Sequence, residues 1–152
     1  MSITYDNTGK VFEDCVSNIA RIINDKKVDL GLREVFNSDV LVVETYPSVS
    51  VSFDGHTEDT LSLGKDNSKI KLSMSLTVWV YLDEISPRFR SKDLERLAWD
   101  VSEIIRGNVS LDGFCMSSEV VSSRIQPRLR INIILGAAKI SVLVQKLIYR
   151  SR

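Results

Sequence analysis

The sequence predicts an α+β domain: a mainly antiparallel sheet with a long central strand, and two main helices packed on one face. Three observations predict it. In residues 69–83, KIKLSMSLTVWVYLD, every second position from Ile70 to Leu82 is large and apolar (Ile70, Leu72, Met74, Leu76, Val78, Val80, Leu82). Side chains alternate faces along a strand, so this is a strand with one face on a core. Residues 10–27 and 92–106 instead space their apolar residues by three and four, the period of an amphipathic helix. The resulting order, helix, strands, helix, strands, suits an antiparallel sheet covered by helices on one side.

A chain of 152 residues is expected to form one domain, 1–152, large enough for a single core. Hydrophobic residues at 43% and charged residues at 26% separate it from disordered chains. Twenty basic residues balance twenty acidic ones, without the overall basic excess usual in proteins that grip nucleic acid by its phosphates. The opening MSITYDNTGK lacks the basic-then-apolar pattern of a secretory signal, and the richest apolar stretch, 131–147, is interrupted by Asn132, Gly136, Lys139, Ser141 and Gln145. No membrane association is expected, and the working compartment is expected to be a cytoplasm or a particle assembled there. Cys15 and Cys115 are therefore read as reduced thiols, and the Asn108-Val109-Ser110 triplet as an unused glycosylation signal.

In the first helix, residues 10–27, Phe12, Cys15, Val16, Ile19, Ile22 and Ile23 make one apolar stripe, and Cys15 falls on it as a core residue. Glu13 and Asp14 come early and Lys26 and Lys27 late, the order a helix dipole favours, with Thr8 available as a cap. Leu30, Leu32, Val35 and Phe36 suggest a short extended piece or a helical turn after Gly31. Residues 40–45 are expected to form a strand leading into Pro47, and residues 48–53 a second, with Val49, Val51 and Phe53 on one face and its end at Asp54-Gly55. The polar run 54–68 is either a loop with an edge hairpin or a flexible flap.

The central strand of 69–83, at about 3.3 Å per residue, reaches roughly 50 Å and is expected to bend or to project beyond its sheet. A connection over 84–90 follows. Ser91 is the expected N-cap of the second helix, 92–106, whose stripe is Leu94, Leu97, Ala98, Val101, Ile104 and Ile105, with Gly107-Asn108 as the stop. Strands are expected at 120–125, in an alternating piece through Leu129, Ile131 and Ile133, and at 138–149. The last places Ile140, Val142, Val144 and Ile148 on one side and Ser141, Leu143, Gln145, Leu147 and Tyr149 on the other, and its length suits pairing with the central strand.

No constellation for chemistry emerges. One histidine, His56, and two distant cysteines make no zinc-type set; Asp54, His56, Glu58 and Asp59 share a stretch that reads as solvated. Neither a nucleophile elbow nor a phosphate loop is present. No catalytic residue, cofactor or metal is expected, and the chain is read as a non-enzyme.

Two features point to binding. Trp79 and Tyr81 lie on the nominally polar face of the central strand, as Leu143, Leu147 and Tyr149 do on the last. Either a helix or loop of the same chain covers them, or they mark a subunit interface. The second is a set of basic residues: Arg88, Arg90 and Lys92, with Phe89 among them, then Arg124, Arg128 and Arg130, then Arg150 and Arg152. These read either as a scattered solvated surface or as a patch for nucleic acid or an acidic partner.

The layout of the pieces resembles a family. An N-terminal amphipathic helix leads to Tyr46-Pro47-Ser48-Val49 and a strand; a polar stretch, the long strand KIKLSMSLTVWVYL and a helix with the pattern SKDLERLAWDVSEII follow; a final strand closes in Ile148-Tyr149-Arg150. This resembles the tail-terminator and tail-completion proteins of long-tailed bacteriophages. The resemblance rests on layout and hydrophobic pattern. It implies a virion structural protein, assembled in the host cytoplasm, whose homo-hexameric ring caps the tail tube and joins it to the head–tail connector, DNA passing only through the lumen. It supplies no catalytic residues. The expected interface residues, Trp79, Tyr81, Leu143, Tyr149, Arg88, Phe89 and Arg90, come from the pattern alone. The alternatives are a neck or head–tail adaptor of the same virion, a small nucleic-acid-binding α+β module using Arg88, Arg90, Arg128 and Arg130, and a small enzyme with a site near His56.

Overall fold

A computed structural model of the chain describes residues 8–63, 67–87 and 89–151. Its elements are α1 (Thr8–Asp25), α2 (Lys27–Leu30), β1 (Glu34–Phe36), β2 (Ser48–Leu63), β3 (Asn67–Glu84), α3 (Ser91–Arg106), β4 (Ser117–Ile125), β5 (Arg128–Arg130) and β6 (Ile133–Ser151). The strands form one sheet in the order β1-β2-β3-β6-β4, with β5 hairpinned onto β6. Every pairing is antiparallel except that of β1 with the start of β2. The fold is the α+β class that the periodicities predict.

The two long strands pair as expected. Ile70 lies opposite Ile148, Met74 opposite Val144 and Val78 opposite Ile140, so the apolar parity of β3 meets that of β6 on one face. Val49 and Val51 of β2 join it opposite Val80 and Val78. α1 and α3 lie on this face, and their stripes close the core: Cys15, Ile19 and Ile23 from α1 and Leu94, Val101 and Ile105 from α3 are fully buried with Leu72, Met74 and Ile140. Each large aliphatic side chain buried there stabilises the fold by roughly 1.5–3 kcal/mol, which outweighs the modest intrinsic preferences of either helix. Leu111, at φ 49°, is buried as well and plugs the core from the turn after α3.

Five expectations are corrected. Residues 40–45 do not form a strand: β1 already occupies the edge of β2 along Ser48–Ser50, and the segment crosses the opposite sheet face instead. The strand expected to end at Asp54-Gly55 runs on to Leu63, because the backbone ladder with β3 continues past a bulge between Phe53 and Gly55 although the side chains turn polar. Of the two readings of 54–68, the edge hairpin is found, with residues 64–66 outside the described set. Ser91 begins α3 rather than capping it; Arg90 is the N-cap and gives no side-chain bond. Leu129, Ile131 and Ile133 are not one strand but a hairpin, β5–β6, turned by Ile131 and Asn132 at φ 43° and 64°. Two residues with positive φ suit the right-handed twist of the flanking strands, and Asn tolerates that conformation where isoleucine does so at a cost. At the first helix, α1 stops at Asp25 and a separate turn, α2, ends at Gly31, whose φ of 70° is a left-handed cap.

Candidate assembly interface

On the sheet face away from the helices, Trp79 and Tyr81 stack with ring centroids 6.4 Å apart and an interplanar angle of 10°. Of the two alternatives for them, cover within the chain is the one found. Val43 packs over them with Leu135 and Ala137, and Val40 and Tyr46 close the margin. Trp79 keeps 6% of its surface and Tyr81 none. The covering segment is held by charge. Arg128 and Arg130 both bind the carboxylate of Asp39, and Arg130 Nε donates to the carbonyl of Val40. The Arg128 guanidinium lies 4.2 Å above the Trp79 ring and Nη1 donates to the Tyr81 hydroxyl at 2.6 Å. These two arginines, expected on a nucleic-acid surface, serve as a clasp for the chain's own residues 39–46.

The remaining expected interface residues do not gather. Leu143 lies opposite Ser75 and Tyr149 opposite Lys69, so Tyr149 stands twelve β3 positions from Tyr81, roughly 40 Å along the sheet. Leu143 is half-buried and Tyr149 is 37% exposed. Phe89 is half-buried and packs on the helix-side core, its ring against the backbone of Gly136. Arg90 is exposed at the start of α3, and Arg88 lies outside the described residues. Thus Trp79 and Tyr81, expected at an interface, are buried by the chain's own residues, while Phe89 remains partly accessible.

The stretch around His56 is not a cluster either. His56 lies against Phe12 of α1 with ring centroids 4.6 Å apart and planes tilted by 43°, and faces Glu58 at 3.4 Å, while Asp54 accepts a hydrogen bond from Thr77 at 2.5 Å. Among the described residues, no three His, Cys, Asp or Glu side chains come close enough to hold a metal. No helix among them is long and apolar enough to cross a membrane.

What the sheet does offer is edges. Among the described residues β1 covers β2 only along Ser48–Ser50, so from Val51 onward none of them forms a strand beside the outer backbone of β2. At the other margin the outer edge of β4 likewise has none among the described residues. Unpaired strand edges are templates for joining another chain. Each edge is flanked by its helix: a groove of about 600 Å³ lined by Phe12, Val16, Val51 and Phe53 runs between α1 and β2, and a smaller one of about 320 Å³ lies between α3 and β4. Trp99 stands at the second, 61% exposed, with the Arg106 guanidinium 4.9 Å above its ring. Pattern reading missed Trp99, and the signal was present: it falls off the apolar stripe of α3, where an aromatic has no core to fill. Both ends of the long strands also show apolar side chains, Leu61 and Leu63 at one and Ile85, Leu129, Ile131 and Ile134 at the other.

Together these features give an α+β chain that, among the described residues, has two open sheet edges and exposed apolar side chains at its strand ends. No protein-family profile matches the chain, and no curated protein matches it.

Proposed function

We propose that the protein is a virion structural protein of a long-tailed bacteriophage, a tail terminator whose ring caps the tail tube and joins it to the head–tail connector. The observation that carries this reading is the pair of open sheet edges on opposite margins of one chain. β2, β3, β6 and β4 run alternately up and down, so the two edge strands point in opposite directions. A second copy set beside the first in the same orientation therefore brings its β4 antiparallel to β2, with both helix layers on one side. Such head-to-tail contacts between different patches close into a ring when the rotation per copy divides a full turn. With strands roughly along the ring axis, their apolar ends form its two rims, one for the tube and one for the connector. A chain of balanced charge suits a lumen through which DNA slides without being gripped.

The test is tube growth. Purified protein added to a polymerising tail-tube protein stops elongation, and electron microscopy shows a ring on tube ends. Tubes that lengthen unchanged, with bare ends, overturn the proposal. A ring that binds isolated connector but not tubes places the chain as a neck adaptor instead.

A further inference from the structure

The two grooves beside the open edges are complementary, and we infer that α3 and β4 of one copy dock on α1 and β2 of the next, with Trp99 seated in the groove between α1 and β2. This rests on the ring reading above and specifies its interface.

The rows of the sheet set the register. Val51, Val78, Ile140 and Ser123 form one row across the four strands, and Thr57, Ser73, Gln145 and Ser117 form another. The unpaired stretch 51–57 of β2 thus spans the same height as 117–123 of β4. A neighbour at the same level places its β4 along that stretch beside β1, and new backbone pairs form on either side of the bulges at Phe53/Gly55 and Val120/Ser122. Beside the ladder, Trp99 shares a groove with Ser123, Arg124 and Ile125 in its own chain, the rows of Val51, Ser50 and Val49, at the boundary where β1 leaves the edge. In the neighbour the groove beside Val51 and Phe53 has Phe12 and Val16 on its α1 wall and Asn37, Ser38 and Asp39 on the other, and is large enough for an indole. Glu13, exposed on the groove's rim, then adds a second carboxylate to Arg106, which travels with Trp99 and already holds Glu103 of its own helix at 2.8 Å. Tryptophan and arginine are among the side chains enriched where interfaces draw most of their binding energy.

The experiment compares the full chain with Trp99→Glu, Trp99→Phe and Glu13→Lys. Mass is read by light scattering, alone and with tail tubes, and amide hydrogen exchange is followed in peptides covering 51–57 and 117–125. The expected result is a ring whose two edge peptides exchange at least tenfold more slowly than in Trp99→Glu. That variant keeps its helical and strand spectrum and has the mass of one chain; Trp99→Phe keeps the ring and Glu13→Lys weakens it. A ring that persists in Trp99→Glu, with edge amides exchanging as fast as in a single chain, overturns this interface and leaves the ring reading standing. A wild-type chain that stays single, alone and with tubes, overturns both.

Discussion

Arg128 reaches Asp39 across 89 positions of sequence with both ends of its guanidinium, Nη1 to Oδ1 at 2.8 Å and Nη2 to Oδ2 at 3.0 Å. A fork on a carboxylate fixes direction as well as distance, and this one draws the 39–46 segment down on the sheet. Asp39 is partly exposed while both arginines are largely covered, so losing the carboxylate leaves two cations short of an acceptor. Asp39→Ala is expected to lower stability by about 1–3 kcal/mol. Trp79 fluorescence shifts to the red as the segment loosens, and urea unfolding followed by that signal checks both.

The two tryptophans separate packing from surface. Trp79→Ala removes a ring sandwiched between sheet, segment and Arg128, and is expected to cost about 3–5 kcal/mol. Trp99→Ala touches little of its own chain and stays within about 0.5 kcal/mol of wild type under single-chain conditions. Denaturant midpoints of the two variants, measured side by side, decide it.

Gly136 has no side chain because Phe89 occupies the space one would need: a Cβ there falls inside the van der Waals envelope of the ring. Gly136→Ala is expected to destabilise by about 1–3 kcal/mol through overpacking. In a Phe89→Ala background the same change costs much less, and the double-mutant cycle reads the coupling directly.

Burial pushes the Cys15 thiol up to about 12; the neighbouring Cys115 adds to the rise and Lys146 opposes it. The folded state therefore holds the proton more tightly than the unfolded one. Stability from this group is full below about pH 9 and is lost as pH climbs from there toward 12, at about 1.4 kcal/mol per pH unit. Cys115, raised mainly by burial, steepens the decline in the same direction. Cys15→Ala is expected to flatten the alkaline limb in unfolding titrations, and Cys15 reacts with a thiol reagent in the native protein only at the rate of opening.

Much of the fold was legible because period and burial agree. In β3 and β6 each apolar residue of one parity meets the helices, so sequence alternation and register carry the same information. It failed where backbone pairing and side-chain pattern part company. β2 beyond Gly55 is a strand made by its neighbour, and nothing in His56, Thr57 or Glu58 announces it. Residues 40–43 read as a strand because four apolar side chains follow one another, yet Leu41 and Val42 are exposed and Val43 alone is buried with its neighbours on the sheet. The candidate interface was less legible than the core. Trp79 and Tyr81 drew attention by being aromatic on a polar parity, but their cover comes from a segment some forty residues earlier and from Arg128, which no local pattern links to them. An open edge is a property of topology, invisible until the strand order is known.

The mass of the protein in solution, by light scattering after size exclusion and again with purified tail tubes, tests the central claim most directly. The proposal predicts a closed ring near six times 17.1 kDa, formed alone or on tube ends, at moderate and high salt alike. A single chain that remains so with tubes present contradicts it; a single chain that instead binds DNA and releases it with salt marks the protein as a nucleic-acid-binding module.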